Sequence, residues 1–189
     1  LPAAFRYRLF DLMHAWEEDP VVEPDWVHVM VFIPKADGGF RPIALTALLL
    51  RVWSKIRHSE AAAWENKHQA GFIWGVSGKP CDKAGWCHNL WEEAAVGQLQ
   101  AMGSFFIDIM KFFDHVSHEV LHEQAQDLDF PLALLRPLLA MYSAPRIVSV
   151  GTACSLPLEV YGTILPGCSI ATTAARLIMY ALLRAISLR

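Results

Sequence analysis

Apolar residues recur along the chain in two periods, and the changes of period mark out its elements. Phe5, Leu9, Leu12, Met13 and Trp16 fall at steps of three and four, which predicts a helix ended by Pro20 and Pro24. The period then shortens to two. Val27, Val29, Val31 and Ile33 alternate with His28, Met30 and Phe32, Lys35-Ala36-Asp37-Gly38-Gly39 supplies a turn, and Phe40 to Leu45 returns. That pattern predicts a β-hairpin over 26–45, with glycines free to take positive φ in the turn. Thr46 is the expected N-cap of a long helix reaching about Gln69. Leu48, Leu49, Val52, Trp53 and Ile56 form its predicted buried stripe, with Arg51, Lys55 and Arg57 off it.

A glycine-punctuated loop over 70–78 leads to a second long helix, predicted from about Cys81 to Met102. It is expected to bury Trp86, Leu90, Ala94 and Leu99 and to close at Gly103. Phe105-Phe106-Ile107 is too short for a helix and suits a buried strand, which would end in Asp108. Ser117 stands where an N-cap belongs, ahead of a helix from His118 to Leu128. Pro131 opens another, with Leu134, Leu135, Leu138 and Met141 apolar and Pro137 placed to kink it. Ile147 to Val150 and Leu158 to Thr163 read as two strands. A loop from Gly162 to Ser169 then precedes a last helix carrying Ala174, Leu177, Ile178, Ala181 and Leu182. The fold class predicted is α+β. There is no internal repeat and no low-complexity tract.

The 189 residues are enough for one domain with a real core, or for two lobes of a larger one. A hydrophobic content of 54% predicts that most of the chain is ordered. The net charge of −3 argues against a protein that coats nucleic acid. The charge is nonetheless uneven. Asp11, Glu17, Glu18, Asp19, Glu23 and Asp25 read as an acidic solvated face, whereas Lys35, Arg41, Arg51, Lys55 and Arg57 oppose Asp37 alone. The chain begins at Leu1 and ends at Arg189 inside an apolar helical pattern, so both ends read as cut and a fragment is expected. No secretory leader is evident. No uninterrupted apolar run reaches the roughly 18 residues of a membrane span, since Arg176 and Arg184 break the last helix, so no membrane partner is expected. Cys81, Cys87, Cys154 and Cys168 lack zinc-ligand spacing and read as free thiols in a reducing, intracellular setting.

Three places carry candidate chemistry. A strand ending in Asp108, then Asp114 at a turn into a helix, suits a divalent cation meeting a phosphate, because Mg²⁺ takes few oxygen ligands from protein. Lys35 and Arg41 flank the hairpin turn, and two such cations can clamp a triphosphate, one as a point charge and one as a bidentate fork. Gly167 in the loop before the last helix allows a backbone or a nucleotide to come close.

The run Phe-x-x-Asp-Ile-x-Lys-Phe-Phe-Asp-x-Val-x-His-x-x-Leu, from Phe105 to Leu121, resembles the first palm motif of reverse transcriptases of the non-LTR retrotransposon and group II intron type. Ile-Pro-Lys-x-x-Gly-Gly-x-Arg-Pro-Ile-x-Leu, from Ile33 to Leu45, resembles their fingers hairpin. Lys55-Ile56 and Gln69-Ala70-Gly71-Phe72 are similar to shorter segments of the same family. The Gly162 to Ser169 loop resembles the second palm motif, although Pro166 takes the place of the usual Gln and Ile170-Ala171 follows Ser169.

The resemblance spans residues 26 to 187 and implies a right-hand polymerase. After a helix and connector over 1–25 would come a fingers-like region over 26–103 and a partial palm over 104–189, stopping before the family's Asp-Asp hairpin. It implies RNA-directed DNA polymerisation with Mg²⁺ (or Mn²⁺), and an RNA template, a DNA primer and a dNTP as partners. Asp108 and the carbonyl of Ile109 would hold metal. Lys35, Arg41, Phe113 and Gly167 would bind the nucleotide, Phe113 by excluding a ribose 2′-OH. Asp114 and Lys111 would support the site, Asp114 by hydrogen bonding at the start of the helix. Arg51 and Lys55 would face template phosphates. A retroelement origin would imply nuclear residence. Only one of the family's three catalytic carboxylates lies in these residues, so they are not expected to polymerise alone. The competing reading is a degenerate retroelement remnant, or a polymerase-like RNA- or protein-binding module without catalysis; Pro166 and the acidic average favour it. A zinc module at Cys81-x5-Cys87-His88 fails on spacing.

Overall fold

Local signals set most of the elements. The computed structural model describes residues 2–22, 26–71, 73–76, 78–104, 106 and 108–187. Among these, in chain order, lie helix α1 (Ala3–Glu18), strands β1 (His28–Pro34) and β2 (Phe40–Leu45), and helices α2 (Leu48–Lys67) and α3 (Cys81–Gly97). A 3₁₀ turn (Phe112–His115), helices α4 (His118–Asp127) and α5 (Leu132–Ser143), strands β3 (Arg146–Val150) and β4 (Ala153–Cys154), and helix α6 (Ala171–Ser187) follow. The α+β class is what the sequence predicted. The chain divides into two units, one of Leu1–Lys67 with Lys111–Arg189 and one of His68–Met110.

The first unit carries a four-stranded sheet in the order β2-β1-β3-β4. β1 pairs antiparallel with β2 in the register Val31↔Ile43 and Ile33↔Arg41, and parallel with β3 from His28↔Arg146. The hairpin turn closes as its glycines predict. Lys35 N–H donates to Gly39 O (2.7 Å), Gly38 takes φ +86°, and Asp37 Oδ1 accepts from Gly39 N–H. The alternation in β1 gave the period but not the side. His28 and Met30 face the core, while Val29 and Val31 are half-buried and Phe32 and Ile33 exposed.

Helix α5 is the centre of the core. It is apolar on every turn, touches α1, α2 and α4, and buries Leu134, Leu135, Pro137, Leu138, Met141 and Tyr142. It runs on through Pro137 from Leu132 to Ser143. Leu50 and Trp53 of α2, Leu121 of α4, and Ile164, Leu165, Ile170 and Leu177 are further large side chains that are fully buried. Each such leucine or isoleucine contributes about 1.5–3 kcal/mol by leaving water.

Several expectations need correction. The buried stripe of α2 is Leu50, Trp53, Ser54, Ala61 and Trp64; Leu48 is 74% exposed and Ile56 is also exposed. Three successive leucines left the phase open, and Ala61 and Trp64 further along decide it. The helix begins at Leu48, so Thr46 is not its first flanking residue. Only Leu158 of the predicted second strand pairs, in a single bridge to Arg146, and β4 lies earlier at Ala153–Cys154. Glu17 is no member of a solvated face. Its carboxylate accepts from Trp53 Nε1 (2.6 Å) and from Arg57 Nε and Nη2 (2.6 Å each), tying α1 to α2. Burial pushes the Glu17 carboxyl up, but the hydrogen bonds from Arg57 and Trp53 outweigh it and hold it below its usual range. Arg57 is thereby spoken for, and only Arg51 and Lys55 remain on the exposed face.

In the unit of 68–110, Gly75 N–H donates to Lys79 O (2.8 Å) around a turn with Gly78 at φ +76°, and Lys79 Nζ donates to Ala70 O. α3 ends at Gly97, before the predicted Met102, and none of its residues is buried. Trp86 and Leu90, predicted to be core, are 69% and 58% exposed, and Ala94 and Leu99 are exposed too. The predicted strand at 105–107 falls partly on Phe105 and Ile107, which lie outside the described residues; Phe106 and Asp108 to Met110 belong to no strand.

Candidate functional site

Three segments distant in sequence meet around one cavity of about 420 Å³ in the first unit. β2 supplies Arg41, Pro42 and Ile43; the segment entering the 3₁₀ turn supplies Lys111, Phe112, Phe113 and Asp114; the loop before α6 supplies Pro166 and Gly167. Backbone contacts hold them in place. Ala44 N–H donates to Pro166 O (3.0 Å), and Ile164 N–H to Phe113 O (2.8 Å). Gly167 sits at φ +101°, and a Cβ there would lie 3.2 Å from Ala44 O. A glycine is needed for both reasons, the left-handed backbone and the close approach of β2. Gly162 is packed in the same way, with a Cβ position 3.1 Å from Val116 O.

Phe112 and Phe113 are half-buried and lean on the core, which fixes the aromatic wall. Arg41, Lys111 and Asp114 are exposed, and the side chains of none of them make an ion pair or hydrogen bond among the described residues. Asp114 was expected to hydrogen-bond at the start of α4. Ser117 does that instead, its hydroxyl accepting from Glu119 and Val120 N–H, because it stands directly before the first helical turn. Lys111 has φ +52°, a conformation that costs a non-glycine residue roughly 1 kcal/mol.

A second opening of about 420 Å³ lies at the hairpin tip, lined by Ile33, Pro34, Lys35, Ala36, Asp37 and Arg41. Arg41 therefore borders both cavities, and Lys35 only the outer one. Arg51 and Lys55 lie on α2 and line neither cavity. Asp108 and Ile109 belong to the unit of 68–110 and are exposed.

Within reach of the charge of Asp114 is a buried cation that no motif singles out. Arg146 at the start of β3 donates to Thr163 Oγ1 and to Tyr142 O (3.4 Å). Burial lowers its pKa, and the charge of Asp114 works the other way. His28 is fully buried beside it, bonded through Nε2 to Met141 O (2.7 Å). Burial first, and Arg146 as well, lower its pKa against that hydrogen bond. The Tyr142 hydroxyl meets the Cys168 thiol without forming a well-shaped hydrogen bond, and burial raises the pKa of both.

Among the described residues no group of three His, Cys, Asp or Glu side chains could hold a metal ion. Asp108 and the Ile109 carbonyl do not form a metal site by themselves; a hard cation there would need oxygen donors from elsewhere. The four cysteines are free thiols. No helix of the described residues is long and apolar enough to cross a membrane.

No protein-family model matches the chain, and no curated protein is significantly similar to it.

Proposed function

We propose that the chain is part of a reverse transcriptase of the non-LTR retrotransposon or group II intron type, comprising its fingers and the first part of its palm. The observation that supports this most is the convergence of Arg41, Phe113, Asp114 and Gly167 on one cavity from three segments that lie far apart in sequence. Residues from each of three motif-like segments line it, which is what a bound nucleotide would require. In this reading a dNTP lies with its sugar against Phe113, which leaves no room for a 2′-OH. Its triphosphate runs past Arg41 to Lys35 at the hairpin tip. A primer 3′-oxygen attacks the α-phosphorus and pyrophosphate leaves. Positioning and charge compensation supply most of the rate. Mg²⁺ or Mn²⁺ would lower the cost of the charge that develops, and Asp108 and Ile109 would be this chain's ligands to it. Arg51 and Lys55 would lie along an RNA template.

A binding module without catalysis remains the second reading, favoured by Pro166 in place of the usual Gln and by the net charge of −3. Equilibrium binding of dATP and ATP to the 189-residue chain tests the nucleotide reading. Arg41→Ala is expected to weaken dATP about tenfold, the worth of one charge-assisted hydrogen-bonding group. Phe113→Ala is expected to narrow the preference for dATP over ATP. Equal binding of the two nucleotides by the unaltered chain, or no effect of either substitution, would remove the basis for the reading.

A further inference from the structure

We infer that the Lys111 ammonium is a phosphate ligand of the inner cavity, acting beside the Arg41 guanidinium; this rests on the reading that a nucleoside polyphosphate occupies that cavity. Three non-glycine residues among those described have positive φ: Leu99 at 56°, Lys111 at 52° and Asp129 at 51°. Two of them have a local explanation, because each stands just past the end of a helix. At Leu99 the next N–H, of Gln100, reaches back to Ala95 O (2.9 Å), and Leu99 N–H reaches Val96 O. At Asp129, Phe130 N–H reaches Ala125 O (2.8 Å), and Asp129 N–H reaches Gln126 O. Both are helix-closing motifs in which one left-handed residue satisfies the last carbonyls.

Lys111 closes no helix. It precedes the 3₁₀ turn, where its carbonyl accepts from Asp114 N–H (2.9 Å). Any residue supplies that carbonyl, and glycine does so without strain. The backbone therefore gives no reason for a lysine. The side chain does: it is exposed, has no partner among the described residues, and lines the same cavity as Arg41. Strain kept at a cavity wall points to work done by the residue that bears it. Among the described residues of the lining Asp114 is the one carboxylate, so two cations there face one anion. That balance suits a polyanion and leaves Lys111, not Lys35, as the cation that shares the inner cavity with Arg41.

Isothermal titration of the 189-residue chain with inorganic triphosphate and with dATP, beside thermal unfolding, tests this. Lys111→Gly is expected to keep or raise Tm, since the left-handed backbone is relieved. It is expected to weaken both ligands about tenfold or more. Lys111→Arg, which restores the charge, is expected to retain most of the binding. Unchanged affinity in Lys111→Gly overturns the inference and leaves the nucleotide reading intact. Loss of binding that tracks a fall in Tm and is not rescued by Lys111→Arg assigns a structural role and also overturns it. Triphosphate binding that depends on Lys111, with no preference for dATP over inorganic triphosphate, supports the inference and overturns the nucleotide reading. Failure of the unaltered chain to bind either ligand overturns both.

Discussion

Helices α5 and α3 are both rich in apolar side chains, yet α5 buries six residues and α3 none. Hydrophobicity gives a helix the capacity to stabilise a fold; neighbours decide whether the capacity is used. α5 has α1, α2 and α4 around it, and its leucines leave water on every turn. α3 belongs to a short unit in which none of the described residues is buried, and Trp86, Leu90 and Trp91 are exposed. The inner cavity is built wholly from the unit that has the core. Phe112 and Phe113 lean on that core, and the loop at Gly167 is pinned to β2, so the walls of the cavity are held by packing and backbone hydrogen bonds and not by its charged side chains.

The sharpest test of this contrast is a pair of identical truncations. Leu138 is fully buried, so Leu138→Ala is expected to cost roughly 3 kcal/mol, the lost transfer energy plus a cavity. Leu90→Ala on α3 is expected to stay within about 0.5 kcal/mol. Denaturant unfolding followed by tryptophan fluorescence measures both. Similar costs for the two would mean that Leu90 is covered in solution, and the contrast would be lost.

A second pair probes backbone in place of packing. Gly167→Ala puts a Cβ at φ +101° and 3.2 Å from Ala44 O, and about 1–2 kcal/mol of destabilisation is expected. Gly85→Ala adds the same methyl to the interior of α3, where nothing lies within 4 Å of it. There it should stabilise the helix by about 0.5–1 kcal/mol. Amide exchange across α3 and the thermal midpoint of the core unit read the two effects separately. A destabilising Gly85→Ala would show that α3 packs closely against something at that position.

These pairs also mark where the sequence was legible. The hairpin and its turn could be read because alternation and the Asp37-Gly38-Gly39 signal are local. The α4 cap could be read because Ser117 needs only its next few residues. What failed depended on residues far away in the chain. The phase of the α2 stripe is set by contacts made at Ala61 and Trp64, the face of β1 by the burial of His28 against Met141 O of α5, and the exposure of α3 by a unit in which none of the described residues is buried. Within the candidate site, Arg41, Phe113, Asp114 and Gly167 were singled out from motif resemblance and lie together. Pro42, Ile43 and Phe112, which also line the cavity, carry only the signal of ordinary strand and core residues. Arg146 carried no signal at all, since one arginine before a short apolar run reads as a strand edge; its meaning comes from burial beside Thr163 and His28.

The smallest of the expected effects compares how the two helices begin. α4 starts with Ser117 accepting two backbone N–H groups, whereas α3 starts after Pro80 with no side-chain cap. Ser117→Ala strips α4 of that acceptor and is expected to cost about 1 kcal/mol. The loss should extend beyond the helix end, because Val116 is buried just before it and Phe113 O, three residues earlier, holds Ile164 N–H. Nucleotide affinity should therefore fall together with stability in Ser117→Ala, and Ser117→Asp, which keeps an acceptor at the cap and adds charge favourable to the helix dipole, should restore both. A Ser117→Ala variant that loses stability but binds dATP with unchanged affinity would show that the cavity walls do not depend on how α4 is anchored.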